Sequence, residues 1–157
     1  MTKKEKIILI ILAAAVLLMT LFVFSNSLKS REASGADSGA VAKIVEPIFD
    51  AVFGEGHGID VHLVVRKAAH LTEFCILGIL VLNLSRAISR KLGRELFGYC
   101  LFYVLLVAVL DEFIQFHSGR GSMVSDVLID LCGALIGLFA TLAVIKIRER
   151  IKLRKKG

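Results

Sequence analysis

The chain has 157 residues, enough for one domain, of which 56% are hydrophobic, with one proline and a mean hydropathy of +0.75. So large an apolar share excludes an ordinary soluble domain and makes a membrane protein the first reading. The net charge of +6 does not point to nucleic acid, because the basic residues of the tail have no aromatics interleaved among them.

Ile7 to Phe24 is an uncharged run of eighteen residues in which Thr20 is the only polar one. It follows Lys3-Lys4-Glu5-Lys6 and is longer than a secretory h-region of about 7–15 residues. It is therefore expected to stay as an uncleaved anchor. Residues 25–62 read as an external segment. FSNSLKSREASGADSG (24–39) is rich in Ser, Gly and charge, as a loop is. Val41, Ile44, Val45, Ile48 and Val52 then recur at helical spacing with Lys43, Glu46 and Asp50 between them. That pattern predicts a short amphipathic helix on the outer face, capped by Asp37 or Ser38. Pro47 should break or kink it near Glu46. Its expected role is surface packing rather than covering a site. GEGHG (54–58) supplies a flexible link onward.

Three further spans are expected at about 63–84, 96–116 and 124–145, each near the roughly 20 residues that cross a bilayer core. Each is apolar at one end and polar at the other. Cys75, Cys100 and Cys132 fall inside them without metal-ligand spacing, and read as small residues packed between helices. The residues before 7, the loop 86–94 and the tail 146–157 carry fourteen of the twenty Lys and Arg. Four spans put all three segments on one side. The positive-inside bias makes that side the cytoplasm, so both termini are expected there. The fold class that follows is an all-α integral membrane protein with four transmembrane helices. A short amphipathic helix lies on the outer face between the first and the second. The whole chain, 1–157, forms a single domain.

The polar residues of the last three spans lie at one depth. Arg66, His70 and Glu73 are spaced i, i+4, i+7 and share a helix face with Lys67 beside them. At 1.5 Å per residue, His70 and Glu73 sit on the order of 10–15 Å below the outer surface. Asp111 and Glu112 approach Gln115 at i, i+4 and i, i+3. Asp126 and Asp130 are i, i+4, and Gly133 and Gly137 continue their stripe as a GxxxG that lets helices approach closely. Charged residues at mid-span cost about 2.5–3.5 kcal/mol each on insertion scales. Three helices carrying acids at one depth therefore predict that the groups meet. Glu73, Asp111, Glu112, Asp126 and Asp130 outnumber Arg66, Lys67 and Arg120 by two. A protonated His70 or carboxyl, a bound cation or a cationic ligand would balance them. HSGRGS (117–122) reads as a turn returning Arg120 to the membrane. Ser122 joins the expected site.

RKAAHLTEFCILG (66–78) and LDEFIQFHSGRGSMVSDVLIDLCGALIG (110–137) resemble the VanZ-like family of integral membrane proteins. The Phe-Ser stretch opening residues 24–39 is similar to the one that follows the first span in that family. Two features depart from its pattern. Ile114 stands where many relatives have a His, with His117 the nearest substitute. The turn from Gln115 to Arg120 is one residue shorter and lacks a proline. The resemblance implies a bacterial cell-envelope protein of the kind linked to low-level teicoplanin resistance. It supplies no reaction.

Two functions of different class follow. One is a binding protein. Its outer-leaflet pocket, built from Arg66, Lys67, His70, Glu73, Asp111, Glu112, Gln115, Arg120, Ser122, Asp126 and Asp130, takes a lipid head group, a wall precursor or a lipophilic glycopeptide. Its arginines meet phosphate or carboxylate. The other is an enzyme acting on an envelope lipid or precursor, with candidate catalytic residues His70, Glu73, Asp111, Glu112 and Asp126. His70 with Glu73 would act as an oriented base, and Asp111, Glu112 and Asp126 would hold a divalent cation through oxygen. No cofactor is evident, and no G-x-S-x-G, H-E-x-x-H or P-loop pattern is present. A scaffold subunit is a third reading.

Overall fold

A computed structural model describes residues 2–121 and 123–155 and consists of five helices: α1 (Lys3–Ser27), α2 (Arg31–Phe53), α3 (Val61–Leu92), α4 (Phe97–His117) and α5 (Val124–Arg154). No strand occurs among the described residues. The helices α1, α3, α4 and α5 are long and apolar enough to cross a membrane. Their outer faces carry large exposed apolar side chains, such as Ile10, Leu18, Phe102 and Phe139. Continuous apolar surface on this scale is a membrane-facing exterior.

Each helix starts and stops for a local reason. Thr2 and Glu5 close a capping box at the start of α1. Asp60 caps α3 by accepting from Leu63 N at 3.0 Å, and Gly93 in the left-handed region ends it. The residues of α1 that face inward are Val16, Thr20, Val23 and Ser27. They recur three or four apart and form one stripe of its surface.

The segment after α1 departs from the sequence expectation. The stretch read as a loop is mostly helical: α1 runs to Ser27, and α2 begins at Arg31. Its cap is Ser30, whose hydroxyl accepts from Ala33 N at 3.2 Å, rather than Asp37 or Ser38. Helix-favouring residues directly after Ser30, with Glu32 in the first turn, let the helix nucleate early. Pro47 lies inside α2 and does not end it. It removes one hydrogen bond, and both Lys43 and Pro47 are exposed, so water can serve the freed carbonyl. The helix meets α3 through small residues. Ala42 is fully buried, and Gly39 abuts the His62 ring. Val41, Ile44, Ile48 and Val52 are exposed.

The core lies along α3, which packs against every other helix and most extensively against α5. Phe74, Leu77, Val104, Ala134 and Leu138 are fully buried there. Helix α5 touches α3 backbone to backbone. A Cβ added at Gly133 would run into the Leu71 carbonyl, one at Gly137 into that of Cys75, and one at Gly78 into that of Ala134. Leu71 pairs with Gly133 and Cys75 with Gly137, so the two helices run in the same direction. Lipid supplies no hydrophobic drive between helices, and this close van der Waals approach replaces it. Of the three cysteines, all free, Cys100 is buried and Cys75 partly so. Cys132 is exposed, so it does not pack between helices as expected.

A valine at Gly137 must push α3 and α5 apart, at about 1–3 kcal/mol for an overpacked contact. Gly137→Val should lower the unfolding midpoint of the detergent-solubilised chain. Gly98→Ala, in α4, has nothing within 4 Å of the added Cβ and should leave that midpoint unchanged or slightly raised.

Candidate functional site

The close α3–α5 contact places the polar ends of these helices side by side. Lys67, one turn before Leu71, places Nζ 3.4 Å from Oδ1 of Asp126, two turns before Gly133. His70 Nδ1 lies 3.6 Å from Asp130 Oδ1. Asp111, from α4, enters from the other side, with Oδ2 3.8 Å from the same His70 nitrogen. Asp111, Asp130, Glu112 and Gln115 are all buried. The three polar helix ends therefore do meet, as their shared depth predicts.

The carboxylates are held unequally. Asp111 accepts from Gln115 Nε2 at 2.7 Å and from the Ser27 hydroxyl. Glu112 accepts from Met123 N at 3.1 Å and so anchors the start of α5. Glu73 Oε1 accepts from Asn26 Nδ2 at 2.9 Å, while its Oε2 is buried without a partner. Asp130 is the extreme case, with both carboxylate oxygens buried and neither hydrogen-bonded. His70 Nδ1 is likewise buried and without a hydrogen bond. Buried polar groups are paired in the great majority of cases, so each of these atoms calls for an explanation.

The turn between α4 and α5 aims Arg120. Gly119 takes φ +75°. Gly119 N donates to Phe116 O at 3.4 Å, and Arg120 N to Gln115 O at 3.0 Å. This is the Schellman arrangement, which turns the chain back over the helix end without a proline. Arg120 becomes buried and donates from Nη1 to Asn26 O at 3.1 Å. Ser118 Oγ donates to Ser27 O at 2.7 Å. Burial, with Arg66 nearby, holds the Arg120 guanidinium below its ordinary pKa, yet an arginine remains charged.

A cleft of about 180 Å³ opens beside this cluster, lined by Lys29, Arg66, His70, Glu73 and Arg120, with Asn26 at its wall. Lys67, Glu112, Gln115, Asp126 and Asp130 lie on the far side of His70, around a space of only about 10 Å³. Every expected site residue but two therefore lines one of two adjoining spaces that share Arg66 and His70. Asp111 lines neither and joins them through His70, and Ser122 lies outside the described residues. His117 is exposed and bonds Phe113 O through Nδ1 at 2.9 Å, so it does not stand in for a histidine at Ile114. Glu112 and Asp126 are engaged elsewhere, so the groups that join Asp111 are His70 and Asp130. Asn26, Ser27 and Ser118 join the site beyond the residues expected of it. Asn26 and Ser27 close α1 at the depth of the acids, and Ser118 opens the HSGRGS turn after α4, which were the signals that could have found them.

Four helices long and apolar enough to cross a membrane, with a buried polar cluster at one end of the bundle, fit a multi-pass membrane protein. Residues 8–146 match the VanZ/LLP1 family, and the chain belongs to it. No curated protein and no solved structure was found to match it.

Ser27→Ala removes a buried donor to Asp111 and should cost about 0.6–1.7 kcal/mol in denaturant unfolding, the range for polar contacts between membrane helices. Ser25 only bonds its own helix at an exposed position, so Ser25→Ala should cost about 0.5 kcal/mol or less.

Proposed function

We propose that this protein is a cell-envelope membrane protein that holds the phosphate of a lipid head group in the cleft beside Arg66 and Arg120. One observation carries the reading. Two arginines and Lys29 line a single cleft, and neither arginine is among the ion pairs formed within 4.0 Å by the described residues. Guanidinium groups left without a carboxylate present the planar donor fork that phosphate accepts in bidentate fashion. Lys29 is tethered to Asp37 at 2.8 Å and marks the mouth.

The basic loops and tail favour an orientation with both termini in the cytoplasm, which sets this cleft in the outer half of the bilayer. Helix α2 then lies over the outer face, with Val41, Ile44, Ile48 and Val52 toward the lipid interface. Membrane phospholipids and lipid-linked wall precursors share the phosphate that the arginines read. Size argues against a glycopeptide as the occupant, since drug-sized ligands fill roughly 300–1,000 Å³. A contribution to teicoplanin-type resistance would act through the bound lipid or precursor rather than by holding the drug. An enzyme working on that phosphate is the second reading, favoured by His70, which lines the same cleft and whose Nδ1 faces the carboxylates of Asp111 and Asp130 as an oriented imidazole would.

Hydrogen bonds to charged groups contribute about 1.5–3 kcal/mol, so Arg66→Ala and Arg120→Ala should each weaken retention of a phosphate lipid by about 10- to 100-fold. Native mass spectrometry of the full chain, offered phosphatidylglycerol, a polyprenyl phosphate or the phosphate-free diacylglycerol, reads this directly. Equal retention of diacylglycerol, or unchanged retention by both variants, overturns the reading. Orientation has its own check: in intact cells, Gly56→Cys should react with an impermeant maleimide and Lys91→Cys should not.

A further inference from the structure

We propose that His70, Asp111 and Asp130 form a binding site for a divalent cation of the Zn²⁺ class. This does not rest on the lipid reading, since the three groups meet through one another and neither carboxylate forms an ion pair with Arg66 or Arg120 within 4.0 Å. One ligand atom from each of the three lies within 4.8 Å of the other two. The separations choose between two explanations. A hydrogen-bonded pair would sit at about 2.7–3.2 Å. The His70 nitrogen is 3.6 Å from Asp130 and 3.8 Å from Asp111, too far for that. Ligand atoms held on one tetrahedral ion by bonds of about 2.0–2.1 Å lie roughly 3.4 Å apart. The two His70 spacings exceed this by a few tenths of an ångström, and the two carboxylates lie within 4.8 Å of each other, so side-chain adjustments of about an ångström or less bring all three onto one ion.

A second observation points the same way. Asp130 is 1% exposed, and neither of its oxygens has a hydrogen-bond partner. It shares this with the His70 nitrogen that faces it. Asp111 and Asp130 are both buried, and no Lys or Arg among the described residues pairs with either within 4.0 Å. A divalent cation answers all of these at once, occupying the idle lone pairs and neutralising two carboxylates. It also balances the two-charge acid excess of the whole cluster. The supporting shell is present, because Gln115 and Ser27 bond Asp111 as outer partners fix metal-ligating carboxylates. One imidazole and two carboxylates suit Zn²⁺ or a similar first-row ion. Ca²⁺ asks for six to eight oxygens, and Mg²⁺ for near-octahedral oxygen geometry.

The test uses the full chain in detergent without added phospholipid, stripped with a chelator and titrated with Zn²⁺ alone. Elemental analysis should find one ion per chain, and Zn²⁺ should raise the thermal midpoint. His70→Ala and Asp130→Asn should abolish both effects. Gln115→Ala should weaken binding by about 10- to 100-fold, as expected for an outer partner. A variant lacking the other three histidines (His57→Ala, His62→Ala, His117→Ala) should bind as the unaltered chain does, which separates the site from adventitious surface binding. No ion on the folded unaltered chain overturns the proposal and leaves a buried water as the occupant. Undiminished binding by both His70→Ala and Asp130→Asn overturns it equally. Should either variant fail to fold, the unaltered chain and the triple-histidine variant still decide. Loss of the Zn²⁺ site with Arg120-dependent lipid retention intact would remove this inference alone, and the converse result would remove only the lipid reading.

Discussion

The backbone contact between α3 and α5 is the constraint on which the rest depends. Gly78, Gly133 and Gly137 leave no room for a Cβ between the two helices. That fixes both their separation and their register. Because the helices run in the same direction, the register that seats Gly133 on Leu71 also brings Lys67 to Asp126 and His70 to Asp130. A slip of one residue would rotate these side chains by about 100° and separate them. The apolar half of the bundle thus acts as the alignment device for the polar half.

Alignment of two helices does not by itself build the site. Asp111 comes from α4 and is steadied by Ser27 at the end of α1. The same end of α1 supplies Asn26, which meets both Glu73 and Arg120. Polar contacts therefore knit α1, α3 and α4, and the turn before α5, at one level. At the other end the contacts are almost wholly apolar, with Thr20 and Tyr103 an exception midway along the span. In lipid, polar contacts between helices each contribute about 0.6 kcal/mol on average in direct measurements. Four or five such bonds can order the cluster without dominating the stability of the bundle, which leaves room for groups held short of full pairing.

Much of this was legible in the sequence because it depends on period and length. A clean uncharged run marked the first span, and runs apolar at one end and polar at the other marked the remaining three. The i, i+4, i+7 spacing of Arg66, His70 and Glu73, and the stripe joining Asp126 and Asp130 to Gly133 and Gly137, gave the convergence. Two kinds of information were hidden. Local competition decided the start of α2, where Ser30 captured the cap ahead of Asp37 and Ser38, and a composition rich in Ser and Gly concealed a helix. Distances across helices decided which acids share a partner. Nothing in spacing separates Asp126, engaged by Lys67, from Asp130, engaged by no hydrogen bond. Likewise Gly78 carries no GxxxG signature, and only its contact with Ala134 reveals it as the third member of the close approach.

The polar cluster is incomplete in two opposite senses, and His70 stands between them. Arg66 and Arg120 line the cleft and form no ion pair within 4.0 Å among the described residues. Asp111 and Asp130 meet at His70, and no lysine or arginine among the described residues pairs with them within 4.0 Å. A network built only to lock helices together would be expected to bring these opposite charges together, since leaving them apart in a low-dielectric region costs several kcal/mol. No ion pair closes the gap within 4.0 Å among the described residues: Arg66 borders both spaces, the Schellman turn holds Arg120 on the cleft side, and the α3–α5 register sets Asp130 against His70. The fold thus keeps two complementary deficits close together without letting them cancel. An anion beside the arginines and a cation among the acids would each relieve one of them, and the same imidazole would border both.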